Sequence, residues 1–219
     1  MSRTNRITFI SVFLVVALTL GAFTLPLVSR AQDKPMSAQD FHDAMRKLWE
    51  DHITWTRLYI VGFAAGLPDT DAVAARLLKN QDDIGNAIRP VYGNDAADKL
   101  TQLLKDHITG AVDLLKAAKA GDTAAMKTAS DKWYANANDI ATFLNSANPD
   151  NWPLDDLKKE MKMHLDLTLA EATAHLKGDS TADIKAYDDV HNEILGMADI
   201  LSGGIIKQFP DMFPAQAKS

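Results

Sequence analysis

DHITWTRLYIVGFAAG (residues 51–66), DHITGAVDLLKAAKAG (106–121) and MHLDLTLAEATAHLKG (163–178) each place a histidine fourteen residues before a glycine. His52 stands in this relation to Gly66, His107 to Gly121 and His164 to Gly178. The match continues beyond the glycines, since Gly121-Asp122-Thr123-Ala124-Ala125 is echoed by Gly178-Asp179-Ser180-Thr181-Ala182. Self-similarity with a period near 55 residues marks a repeated supersecondary unit.

Working outward from these stretches, apolar residues recur at helical spacing, and no useful length alternates with period two. Ser37 with Asp40 opens a first helix that stops at Gly66-Leu67-Pro68. Asp69 or Thr70 starts a second, which meets Pro90 and the Gly93-Asn94 turn. A third runs to Gly121, and Asp122 or Thr123 caps a fourth. After the break at 148–153, a fifth helix runs to Gly178 and a sixth from about Ser180 to Gly203-Gly204 and Pro210. The expected fold is all-α, an up-and-down six-helix bundle made of three repeated helical hairpins. Residues 37–210 read as its single domain, preceded by a short segment, 32–36, and followed by a tail, 211–219.

The start of the chain reads differently. Three arginines and no acidic residue occur up to Ala31, around an apolar run from Ile7 to about Leu27. With Ser29 and Ala31 as small residues at a cleavage site, residues 1–31 are expected to be a signal peptide, directing export to the periplasm or the cell exterior. An uncleaved N-terminal membrane anchor is the alternative. Cleavage takes three arginines from the 23 basic side chains and leaves 20 against 29 acidic ones, so the formal charge moves from −6 to −9. Such a surface repels nucleic acid and anionic membrane, so neither is an expected partner of the mature chain. With no cysteine, an exported fold here relies on its core rather than on disulfides. Oligomeric state is not legible.

In an antiparallel hairpin, residues equally distant from the turn lie opposite one another. On that count His164 faces His191, His107 faces Tyr134, and His52 faces Gln81. The expectation is a polar layer at mid-bundle holding His52, His107, His164 and His191, with Tyr134 and Gln81 in support. Neutral imidazoles of this kind take zinc, copper, nickel or iron, so a divalent transition metal or a small ligand is the expected partner. The chain then reads as an exported binding protein. A metal-dependent hydrolytic enzyme would use the same layer, with Glu160 or Glu171 carrying protons. In a third reading the layer only fixes helix register and an envelope protein binds its partner elsewhere. Glu160/His164 and Glu171/His175 lie four apart and read as solvated helix edges; Trp49, Trp55 and Tyr59 read as core aromatics. Nucleotide-binding loops, the Gly-x-Ser-x-Gly elbow and the haem-attachment motif do not occur.

The strings LWEDHITWTR (48–57), RLLKNQDDIGNAIRPVYG (76–93), KWYANANDIATFL (132–144), IKAYDDVHNEILGMADIL (184–201) and GIIKQFP (204–210) resemble a family of small bacterial all-helical proteins, often exported and of unestablished function. Its members frequently carry the names glycosyltransferase or acetylglutamate kinase. Because the nucleotide-sugar and kinase signatures are missing from this sequence, the resemblance implies the fold and not either enzyme activity.

Overall fold

A computed structural model describes residues 36–214. The expected signal peptide, residues 1–31, lies outside the described residues, as do 32–35 and 215–219. The described chain is all-helical. Five helices follow in order: α1 (Ala38–Ala65), α2 (Thr70–Ala120), α3 (Thr123–Ala147), α4 (Leu154–Lys177) and α5 (Ser180–Gln208), then a 3-10 turn at Pro210–Met212. No helix among them is long and apolar enough to cross a membrane.

Local chemistry sets the ends. Ser37 Oγ accepts from the Asp40 backbone N–H at 3.0 Å and donates to the Asp40 carboxylate at 2.7 Å, closing the start of α1. Gly66, Gly121 and Gly178 all adopt left-handed φ, at 67, 69 and 74°. At each, the next residue's N–H reaches back to a carbonyl of the last helical turn: Leu67 to Gly62, Asp122 to Ala117, Asp179 to Ala174. Asp122 and Asp179 then cap the following helix, accepting from Ala124 and Ala125 and from Ala182. A left-handed glycine followed by a capping aspartate thus reverses the chain in two residues.

α2 also reverses, inside itself. Gly93 has φ 82° and ψ 179°, outside any helical region, three residues after Pro90. On either side the two limbs lie together. The Lys105 ammonium meets Asp82 at 2.6 Å, and a Cβ on Gly85 would fall 1.9 Å from Thr101 Oγ1. Both pairs are centred on residue 93, as an antiparallel hairpin requires.

Neighbouring helices pack in chain order and α5 closes the ring against α1. The larger part of the core includes Met45, Trp49, Ile84, Ile140, Ile194 and Leu201. A smaller cluster, toward the three glycine turns, comprises Tyr59, Ile60, Leu77, Ile108 and Leu115. Past the expected domain end at 210, Phe213 is buried and stacks 4.7 Å from Phe41, so the packed domain continues to it.

Candidate functional site

Between the two apolar clusters lies a polar layer made from three hairpin positions. His52 on α1, His107 on the second limb of α2 and His164 on α4 are 3–4% exposed. Their ring centres are 5.8 Å apart for His52 and His164 and 6.2 Å apart for His107 and His164. In each case Nδ1 meets a polar side chain 29 residues further on: Gln81 at 3.3 Å, Asn136 at 2.8 Å and Glu193 at 2.9 Å. The connections after Gly66, Gly121 and Gly178 differ in length, yet this separation is constant.

The acceptors decide the tautomers. His107 Nδ1–H donates to the Asn136 side-chain carbonyl, and His164 Nδ1–H donates to the Glu193 carboxylate. His52 differs, because the group near its Nδ1 is the Gln81 amide nitrogen, a donor that also serves Leu77 O at 2.8 Å and Asn80 Oδ1 at 3.1 Å. Its own ring proton therefore belongs on Nε2. Among the described residues no hydrogen bond reaches Nε2 of any of the three.

Burial in an apolar surround disfavours the charged form. It is the main cause that holds His52 well below the ordinary histidine range, with the charges of His164 and His107 acting in the same direction. His107 is pushed down to about 3, first by burial and then by His164, against an opposing contribution from the Asn136 hydrogen bond. At neutral pH both rings are uncharged.

Two expected members lie elsewhere. His191 sits near the surface, its Nε2 3.3 Å from Glu50 and its ring against Tyr187. Tyr134 donates to Asp166 at 2.6 Å and does not support His107. Both come two residues before the side chains that do the work, Glu193 and Asn136. An α-helix turns about 100° per residue, so that offset of two rotates a side chain about 200° away from the layer. Only Gln81 occupies its expected place.

The layer's surroundings carry an unusual concentration of unmet polar groups. Among the described residues six buried side-chain atoms lack a hydrogen-bond partner, and four of them are Trp49 Nε1, Trp133 Nε1, Gln81 Oε1 and Glu193 Oε1. The Trp49 and Trp133 rings lie 5.7 and 5.3 Å from His52 and His107. Buried polar atoms without partners are uncommon enough to point to water or an ion among them. A cavity of about 40 Å³ touches all three histidines, with Met45, Trp49 and Ile194 among its otherwise apolar walls. As the side chains stand, no group of three or more His, Asp or Glu among the described residues is in position to hold a metal.

A second polar cluster was not foreseen. The Arg57 guanidinium on α1 grips Asp183 of α5 with both Nη atoms and also donates to Glu171 of α4 at 3.0 Å. His175 Nδ1 adds a 2.8 Å contact to Asp183. The Arg57 hydrogen bond is the main cause that lowers Asp183's proton affinity, whereas burial raises that of Glu171. Glu171, expected on a solvated edge, is 1% exposed because this arginine neutralises it in the interior. Arg57 also lies over the Tyr187 ring.

Comparison of the chain with protein-family models, with curated proteins and with solved structures returns no match.

Proposed function

We propose that this chain is an exported binding protein whose layer of His52, His107 and His164 takes one divalent transition metal ion. Its helices are read as six limbs forming three hairpins, each contributing one histidine and that histidine's polar support. The observation that carries the reading is this arrangement: three imidazoles from three hairpins, each with Nδ1 engaged and no hydrogen bond at Nε2. Metal-binding histidines characteristically use one ring nitrogen for the ion and the other for an orienting carboxylate or carbonyl. Asn136 and Glu193 have that chemistry. His52 joins by moving its proton to Nδ1, with the Gln81 amide turned so that its unpaired Oε1 accepts it.

Three imidazoles on one ion, at about 2.0–2.1 Å per bond, bring ring centres to roughly 5 Å. The layer is wider than this, so binding draws the rings inward by roughly 1 Å. That width favours a second reading, in which the layer serves only to fix helix register. The apolar walls of the adjoining cavity weigh against hydrolysis through a metal-bound water, which needs room for water and a polar substrate.

The test is a titration of untagged, metal-free protein with zinc, copper, nickel and iron. Binding of one ion per chain is expected in the native protein and in His42→Ala, with strong loss in His107→Ala. If the native protein binds none above background while His107→Ala is still destabilised, the layer is structural.

A further inference from the structure

We propose a second binding site, separate from the histidine layer: the chamber between the layer and the three glycine turns holds a small, uncharged, apolar molecule of at most about four heavy atoms. The chamber has a volume of about 70 Å³ and is walled by Tyr59, Ile60, Leu77, Ile108, Leu115 and Leu176. It is about half the size of a dry cavity that accepts benzene or xenon, roughly 150 Å³. The class of guest is therefore that of xenon, dioxygen, nitric oxide or ethene.

The polar atoms around the chamber explain why it prefers such a guest to water. A buried water needs two to four hydrogen-bonding partners. The hydroxyls of Thr56 and Thr168, both in the lining, already donate to the carbonyls of His52 and His164 at 2.8 Å. Trp133 also lines the chamber and brings an indole N–H without a partner, a single free donor. Wall atoms facing an empty space lose dispersion contacts that an apolar guest restores. Because the Trp133 ring lies 5.3 Å from His107, a guest here sits one side chain away from the layer.

Xenon is the probe. Metal-free full-length protein, followed by xenon-129 NMR and by crystals under xenon pressure, is expected to show an atom within the chamber. Ala172→Leu, which fills the space from α4, is expected to abolish that signal without changing the far-ultraviolet circular dichroism. If this variant misfolds, Ala111→Leu fills the same space from α2 and serves instead. Ordered water that xenon does not displace, or equal xenon occupancy in a folded filled variant, overturns the proposal. Because the protein carries no metal in these measurements, the outcome is independent of the layer's own ligand.

Discussion

An imidazole that resists protonation makes the fold around it sensitive to acid. His107 is held at about 3 inside the bundle and returns to about 6.5 when the chain unfolds. Between those values the unfolded chain binds the extra proton and the folded chain does not. Stability is therefore complete above pH 6.5 and drains away as the pH falls toward 3, at about 1.4 kcal/mol per pH unit for this one group. Denaturant unfolding of the metal-free protein between pH 7 and 4.5 is expected to show that slope, and His107→Gln to flatten it; an unchanged slope contradicts the assignment. Metal competition follows the same shift, so protons displace a bound ion only well below the ordinary histidine range. The histidines themselves were legible in the sequence because a distance from a glycine turn fixes height along a helix. Their supports were not, since height says little about facing. Asn136 and Tyr134 differ by 3 Å of rise, at about 1.5 Å per residue, yet point in nearly opposite directions. The common separation of 29 was the missing clue.

At the scale of the element, Gly93 is where α2 doubles back, in a conformation open essentially only to glycine. Replacing it by alanine is expected to cost about 1–3 kcal/mol. Gly196 within α5 is the control. A Cβ there meets nothing within 4 Å and the backbone is ordinary helix, so Gly196→Ala is expected to be stabilising by about 0.5–1 kcal/mol. Thermal unfolding of the two variants, shifting in opposite senses, checks the pair. Pro90 and Gly93-Asn94 announced this reversal in the sequence because both act through local backbone geometry. The same is true of Gly66, Gly121 and Gly178, whose left-handed conformations need no distant partner. What the sequence left unspecified was how closely the limbs approach, which rests on the absence of a side chain at Gly85 opposite Ala97 and Thr101.

Across the whole molecule, Arg57 joins α1 to both helices of the last hairpin. Arg57→Ala strands the buried carboxylates of Glu171 and Asp183, and a loss on the order of 2–3 kcal/mol is expected, less than for a fully dry pair because the arginine keeps some contact with water. Equilibrium unfolding of this variant beside Glu171→Gln tests whether the charge is what matters: the second change removes a desolvated anion and is expected to cost less. No local rule reveals this network, whose partners stand 114 and 126 positions from Arg57. Helical periodicity marks Glu171 as lying at the margin of an apolar stripe, and only the assembled bundle brings a cation to it. The constant 29-residue separation has a bearing on how two copies of the chain can associate. Each imidazole and the group that orients it lie on one hairpin, so a hairpin moves as a complete functional unit. If α4 and α5 were exchanged between two molecules by opening the connection at 148–153, His164 and Glu193 would travel together. Each half of the swapped dimer would then contain a full set of three supported imidazoles, and its metal content per chain would equal that of the monomer.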